Sequence, residues 1–268
     1  MTELRTVGIV GLGRMGQTLA AAFSRAVGPD RVHAVGRSAS SIARFEQAVP
    51  GVRIAPAPEL PGCAALIVLC TPQAALPAVL DELRPGLTPD HLVVTISNRQ
   101  LLSDLAEAVP GPVAKLIPSA GNEIGVGATL VVPGPGMTEP AVEDLLALLR
   151  TFSTPFVVSE DQGRAATDLA SCGPALLAAA AAAMAQAQCG RNAPLPRALA
   201  EQLVSCSLEA AGLLVGGGAS LSEVIDRVAV PGGNTAAAID AARDGLVTAW
   251  RTAFQATRDN ERSGQLLH

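Results

Sequence analysis

The sequence has 268 residues, of which 49% are hydrophobic and 16% are charged, so it can build a buried core and is not intrinsically disordered. Its length suggests one or two domains. The net charge of -5 and the lack of any segment rich in Lys or Arg predict that the chain binds neither nucleic acid nor an anionic membrane surface.

Short β-branched runs alternate with longer helical segments from Thr6 to about Glu160. This alternation predicts a parallel sheet covered by helices. The predicted strands are 6–10, 32–35, 64–70, 92–96, 113–117, 128–132 and 155–158, and the predicted helices are 15–26, 40–49, 74–83, 101–109 and 138–152. We therefore predict the α/β class, with an N-terminal Rossmann-type doubly wound sheet over residues 1–160.

The strand signals stop after residue 160, and the remaining segments are helical patterns rich in Ala and Leu. We predict that residues 161–268 form an all-α C-terminal dimerisation domain. The segment Pro174–Gln188 is apolar nearly all round, so we expect a buried helix that a second subunit covers. Its apolar centre is too short to cross a membrane.

Two further signals divide the C-terminal helices. Ser220 and Glu223 have the spacing of a capping box, which predicts a helix that reaches about Arg227. Gly245 is the predicted end of the next helix, which begins at about Ala236.

A glycine-rich turn follows the first predicted strand and opens the first helix. Its first glycine permits a tight turn, its second lets the backbone approach a pyrophosphate, and its third lets the helix pack on the strand. The helix N-terminus favours the bound anion. This context predicts dinucleotide binding by Gly11, Leu12, Gly13, Arg14, Met15 and Gly16.

The second predicted strand ends in Gly36-Arg37-Ser38, where an NAD site would have a carboxylate for the ribose hydroxyl. A guanidinium beside a hydroxyl suits a 2'-phosphate instead. Arg37 and Ser38 therefore predict NADPH rather than NADH as the cofactor.

Other strand ends carry polar residues that would face the same crevice. Cys70, Thr71 and Pro72 follow one strand, and we predict that they contact the cofactor. Thr95 with Ser97, and Ser119, end two later strands in the same way, so several hydroxyls are expected along the crevice, although each could be a simple turn.

The C-terminal half contains one candidate ligand site, Val230-Pro231-Gly232-Gly233-Asn234-Thr235. Two glycines expose backbone N–H groups before a helix start, which is suited to a carboxylate. A simple turn capped by Asn234 is the alternative interpretation.

Metal and disulfide chemistry is not predicted. The five cysteines include no C-x-x-C pair and the three histidines have no ligand spacing, so we expect a cytoplasmic protein with no disulfide and no metal site. Lys115 is the single lysine in the sequence.

The order and spacing of these motifs resemble the pyrroline-5-carboxylate reductase family over nearly the whole chain. In that family a G-x-G-x-x-G turn precedes an Arg-containing NADP loop, K-P-Q, M-P-N-T-P, S-G-S-G-P-A and S-P-G-G-T-T. The corresponding segments here are 11–16, 36–38, 71–73, 117–121, 170–175 and 230–235. The site residues that differ are Thr71 for Lys, Ser119 for Asn, Val230 for Ser and Asn234 for the first Thr.

The resemblance implies an NADPH-dependent reductase of a small cyclic imine carboxylate, with pyrroline-5-carboxylate, which is reduced to proline, as the first candidate. It implies that Gly232, Gly233, Asn234 and Thr235 bind the substrate, that Thr235 is the catalytic hydroxyl, and that the chain forms a homodimer or a higher homo-oligomer. Two alternatives stay open: a related reductase of another imine or ketimine, and a regulatory protein that binds NADPH without turnover. Alcohol oxidation as in β-hydroxyacid dehydrogenases is disfavoured, because that route needs a lysine on the first interdomain helix and no lysine follows Lys115.

Overall fold

The structure is a computed structural model that describes residues 4–189 and 195–263. Within these ranges the eight strands are β1 (Val7–Val10), β2 (Val32–Val35), β3 (Arg53–Ile54), β4 (Leu66–Leu69), β5 (Leu92–Thr95), β6 (Val113–Ile117), β7 (Ala128–Pro133) and β8 (Thr154–Val157). The α-helices in the same ranges are α1 (Arg14–Val27), α2 (Ala39–Ala48), α3 (Leu76–Leu83), α4 (Leu102–Ala108), α5 (Glu139–Leu149), α6 (Gly163–Ala170), α7 (Gly173–Ala187), α8 (Arg197–Gly216), α9 (Leu221–Asp226) and α10 (Asn234–Ser263). The predicted strands and N-terminal helices are confirmed, and β3 was missed because a two-residue strand leaves no pattern.

One sheet contains all of these strands, in the order β3-β2-β1-β4-β5-β6-β7-β8. The strands from β3 to β6 are parallel, whereas β7 is antiparallel to β6 and β8 is parallel to β7. The prediction of a parallel sheet is therefore wrong at this edge. The connection from Ile117 to Ala128 contains one short 3-10 helix, and a parallel crossover needs a dozen or more residues.

Helices cover both faces of the sheet, as the apolar strands predicted. Phe23 of α1, Phe45 of α2 and Leu145 of α5 belong to the apolar cluster on one face. Leu80 of α3 and Leu105 of α4 belong to the cluster on the other face. Alternate residues of β4 contribute to the two clusters, so this strand is buried on both sides.

The strand order reverses at β1, which lies between β2 and β4. In open α/β sheets, ligands bind outside the carboxyl ends of the strands at such a switch point. The backbone ties these ends together, because Gly11 N–H donates to Val35 O at 3.0 Å and Cys70 N–H donates to Val10 O at 2.8 Å. The predicted Rossmann-type fold is confirmed, and its crevice lies at the glycine-rich turn.

The chain divides into two compact units, one that ends at Pro174 and one that begins at Ala175. The division after residue 160 that the sequence suggested precedes α6. Because α6 packs against β7, the first unit includes this helix.

The second unit is helical in its described part. Ser220 caps α9 and Glu223 N–H donates to Ser220 Oγ at 3.2 Å, as the capping box predicted. The predicted helix end at Gly245 is wrong, since α10 continues to Ser263. A single glycine inside a long helix costs about 1 kcal/mol, which the other residues of the helix can offset.

Many apolar side chains of the C-terminal helices are exposed in the single chain. In α7 Ala185 is the one buried residue, and Leu177 and Met184 are more than half exposed, so the segment predicted to be buried is not buried within one chain. Among the described residues, α8 is long and apolar enough to cross a membrane by length and composition, with a mean hydropathy of 1.4. The same holds for α6 and α7 if these two helices, which are bent by 49°, are taken as one span. An apolar surface of this kind indicates a contact with another molecule.

Candidate functional site

The glycine-rich turn has the backbone that a dinucleotide site requires. Gly11 has a φ of 109°, and a Cβ there would lie 2.6 Å from Cys70 O. A Cβ at Gly16 would collide with Gly11 O, so this glycine lets α1 lie close to β1. Gly13 is exposed and has no atom within 4 Å of its Cβ position. The turn therefore has close packing at its ends and open space at its centre, where a ligand would approach.

The first turn of α1 is open to an anion. Gly13 precedes the helix, no side chain caps it, and no acidic residue lies in the first turn. Arg14 is exposed and Met15 is half-buried, so both are available at this edge. Leu12 differs, because its side chain lies in the core and only its backbone can contact a cofactor.

Arg37 and Ser38 follow β2 beside this turn. Arg37 is exposed and its guanidinium has no hydrogen-bond partner among the described residues. Ser38 caps α2, and its Oγ accepts a bond from Ser41 N–H at 3.2 Å. The Ser38 hydroxyl therefore has a structural role in the helix, and Arg37 is the more available group.

The residues after β4 lie against the glycine-rich turn. Burial raises the pKa of the Cys70 thiol to about 12, so the thiol is neutral near pH 7. Thr71 Oγ1 is buried and has no hydrogen-bond partner among the described residues, and the Thr71 methyl would lie 3.2 Å from a Cβ at Gly11. Pro72 is exposed at the start of a short 3-10 turn. An unpaired buried hydroxyl is unfavourable, so Thr71 is suited to a ligand that completes its bonding.

The later strand ends correct one prediction. Thr95 and Ser119 are each only 1% exposed, so their hydroxyls do not line the crevice. Thr95 Oγ1 accepts a bond from Ser97 N–H at 3.1 Å, and Ser119 N–H donates to Asn122 Oδ1 at 2.8 Å. Of the expected hydroxyls, Ser97 remains half-buried at the edge of the crevice.

Several polar residues near this edge were missed by sequence reasoning. Ser97 Oγ donates to Gln73 Oε1 at 2.9 Å, and Gln73 Nε2 donates to Gln100 Oε1 at 2.7 Å, which links the segments after β4 and β5. Lys115 is buried in β6, where its Nζ lies 3.2 Å from Glu160 Oε1. A lysine within an otherwise apolar strand was the signal that could have identified this pair.

The candidate substrate segment leads into α10. Gly232 has a φ of 76°, and a Cβ at Gly233 would lie 2.8 Å from Val230 Cγ2, so both positions favour glycine. Asn234 and Thr235 are exposed first-turn residues of α10, and the Thr235 hydroxyl makes no hydrogen bond with a described residue. Gly233 N–H donates to Val230 O at 2.9 Å, so the segment forms a turn, but Asn234 is the first residue of α10 and not its cap. The alternative of a simple turn stays open.

Within residues 4–189 and 195–263, no three His, Cys, Asp or Glu side chains are grouped so that they could hold a metal ion. All five cysteines are free thiols.

Two family models match the chain. Residues 160–264 match the pyrroline-5-carboxylate reductase dimerisation family, and residues 6–99 match the family described as NADP oxidoreductase, coenzyme F420-dependent. Together with the relatives described next, these matches support the pyrroline-5-carboxylate reductase family for this chain.

Individual proteins and solved structures are similar to this chain. ComE operon protein 4 of Bacillus subtilis is 28% identical over 64% of this chain and 64% of its own length, and pyrroline-5-carboxylate reductase 3 of Bos taurus is 27% identical over 86% and 76%. The chain thus spans just under two thirds of the bacterial relative. The structure of Plasmodium falciparum pyrroline carboxylate reductase with NADP bound has the same fold, with a TM-score of 0.79, 19% identity and coverage of 98% of this chain and 99% of that one.

These matches bear on several predictions. The Rossmann-type fold is confirmed, and the matched families support the predicted NADP(H) cofactor and the class of oxidoreductase. The dimerisation family supports a homo-oligomer. The roles of the individual site residues stay predictions.

Proposed function

We propose that this protein is an NADPH-dependent reductase of a small cyclic imine carboxylate, with pyrroline-5-carboxylate as the first candidate substrate and proline as its product. The main support is the backbone geometry of two segments, the glycine-rich turn at the switch point and Val230–Thr235, which both have glycines where a ligand cradle needs them. The match to the family's dimerisation domain adds to this support. Bound NADPH would supply a hydride to the imine carbon.

The proposed cofactor site has backbone and side-chain parts. Backbone N–H groups of Leu12 to Gly16 and the uncapped start of α1 would hold the pyrophosphate. The exposed Arg37 guanidinium would pair with the 2'-phosphate, beside the Ser38 hydroxyl. Thr71, with its unpaired hydroxyl, would bond the cofactor between Cys70 and Pro72.

The proposed substrate site is the N-terminal end of α10. Gly232 and Asn234 would offer backbone N–H groups to the substrate carboxylate, without any Lys or Arg. Gly233, whose N–H donates to Val230 O at 2.9 Å, would shape the turn that presents them. The Thr235 hydroxyl would hold the ring nitrogen and bond it as its charge disappears during reduction. Because the protein mainly positions two reactants, no strongly basic residue is required.

The substituted site residues favour a test over several substrates. Val230 replaces a family serine, and its side chain cannot donate a hydrogen bond. Thr71 replaces a family lysine. A six-membered cyclic imine or an open-chain ketimine is therefore the second candidate class of substrate. A regulatory protein that binds NADPH without turnover is the third candidate function, for the same reason.

We propose that the enzyme works in the cytoplasm as a homodimer or a higher homo-oligomer. The exposed apolar side chains of α7 and α8 support the assembly, since a second copy would remove them from water. We propose that the cofactor domain of one subunit and the helices of its partner together form the active site, as the family resemblance implies.

The deciding assay measures NADPH oxidation with pyrroline-5-carboxylate, piperideine carboxylates and open-chain ketimines. We expect the highest kcat/KM for a cyclic imine carboxylate. NADPH binding without turnover of any imine would refute the proposal and favour a regulatory protein. A preference for an open-chain ketimine would favour the second class of substrate.

A further inference from the structure

The single lysine of the sequence is buried, and the proposed mechanism does not use it. Lys115 lies in the middle of β6, is 4% exposed, and stands between Ala114 and Leu116. Burial of an ammonium group is unfavourable unless the surrounding structure supplies acceptors. The acceptors that Lys115 has therefore indicate what the residue does.

Lys115 contacts two chain segments that are distant in the sequence. Its Nζ donates to Asn98 O at 3.2 Å and to Glu160 Oε1 at 3.2 Å. Asn98 belongs to the β5–α4 loop (residues 96–101), and Glu160 lies between β8 and α6. Lys115 thus joins this loop to the segment in which the dimerisation family match begins.

The carboxylate of Glu160 also supports the start of α4. Leu102, the first residue of α4, donates its N–H to Glu160 Oε1 at 3.4 Å, and the preceding Leu101 provides no capping side chain. Glu160 therefore acts as a cap from a distant part of the chain. Loss of the Lys115 charge would leave this carboxylate without its cation.

A second bond fastens the same loop to α6. Asn98 Nδ2 donates to Thr167 Oγ1 at 3.3 Å, and this hydroxyl donates to Gly163 O at 2.6 Å. The β5–α4 loop is thus held from β6 by Lys115 and from α6 by Thr167. The next residue toward the crevice, Ser97, bonds Gln73, which follows the proposed cofactor residue Pro72.

We propose that Lys115 is a positioning residue: with Glu160 it fixes the β5–α4 loop, and through the Ser97–Gln73 bond it fixes the cofactor edge of the crevice. This inference rests on the proposed function, since the reaction needs the two reactants held in one geometry. A displacement of about 1 Å can lower a rate by about 100-fold, so we expect a loosened loop to lower kcat.

The first test compares Lys115→Met, Glu160→Gln and the double variant, with Arg150→Met as a control. Arg150 pairs with Glu143 on the exposed face of α5, so the control also removes the cation of an ion pair. We expect Lys115→Met to lower kcat for the best imine at least tenfold, with a less than threefold change in the Kd of NADPH. The double variant should have the same kcat as the less active of the two single variants, because both residues act through one cluster.

A merely structural role gives a different result. Lys115→Met and Glu160→Gln would then lower Tm but leave kcat per folded molecule unchanged, and this outcome overturns the inference. Equal losses of kcat in Arg150→Met, or additive losses in the double variant, overturn it too. Glu160→Gln keeps a polar side chain of the same size, so it tests the cluster even where Lys115→Met does not fold.

The second test does not depend on turnover. Because the chain has one lysine, an amine-acetylating reagent followed by peptide mass spectrometry reports the exposure of Lys115, with the N-terminal amine as a reference. We expect Glu160→Gln to increase the acetylation rate of Lys115 at least fivefold, and an unchanged rate overturns the inference. A wild type that is inactive on every imine refutes the proposed function alone, and the acetylation rates then decide whether Lys115 and Glu160 fix the loop.

Discussion

The Thr235 hydroxyl offers the sharpest test of the proposed substrate site. Thr235 lies in the first turn of α10, is exposed, and makes no hydrogen bond with a described residue, so Thr235→Val removes no bond from the folded chain. Valine keeps the branched shape, and surface changes of this kind alter stability by about 0.5 kcal/mol or less. A hydrogen bond to a charged group contributes about 1.5–3 kcal/mol, so its loss should lower kcat/KM by about 10- to 150-fold.

The assay follows NADPH oxidation with the best imine and compares Thr235→Val with Thr248→Val. Thr248 is an exposed residue of the same helix, more than three turns further on, so it controls for the substitution itself. We expect unchanged NADPH affinity in both variants and reduced kcat/KM in Thr235→Val alone. Near-normal turnover by Thr235→Val would show that the backbone of the proposed substrate segment suffices, and would remove Thr235 from the catalytic role.

Three other predictions follow from the structure. Arg37→Asp should weaken NADPH binding far more than NADH binding. The control Arg44→Asp, on the exposed side of α2, should change neither Kd. A wild type that uses both cofactors equally would contradict the role of Arg37. Light scattering should find a dimer or a larger assembly at micromolar concentration, and a stable monomer would refute the interpretation of the exposed apolar helices. Iodoacetamide at pH 8 should modify Cys70 much more slowly in the folded protein than in urea, because burial raises the pKa of the Cys70 thiol to about 12, and equal rates would contradict that burial.

The sheet could be predicted from the sequence because its strands are short, apolar and separated by amphipathic helices. The chain direction of β7 could not be predicted from local pattern, since β7 looks like the other strands and only the short connection after Ile117 sets its direction. At Gly245 the local pattern predicted a helix end that the structure does not have. A glycine is a common helix end, but α10 continues because the residues after Gly245 still favour a helix, and one glycine costs less than they contribute.

The backbone part of the candidate site was also predictable, because glycines are required where a φ is positive or two chain segments touch. Gly11 and Gly232 are such positions. The polar side chains were less predictable. Thr95 and Ser119 end strands as Ser97 does, yet their neighbours bury them, and Lys115 meets Glu160 only because the fold brings β6 and the end of β8 together.

The two classes of site residue carry different information about function. Gly11, Gly16 and Gly233 are constrained by contacts with backbone or side-chain atoms of the chain itself, so a larger residue at any of these positions would strain the fold. Thr71 and Val230 are the positions where the side chain differs from the lysine and serine of the family resemblance. The fold follows from the constrained glycines, whereas the identity of the imine depends on the variable side chains.

A Val230→Ser variant restores the family's hydroxyl without changing a glycine. It should therefore shift the ratio of kcat/KM values between pyrroline-5-carboxylate and a six-membered imine while leaving NADPH affinity unchanged. An unchanged ratio would show that position 230 does not select the substrate.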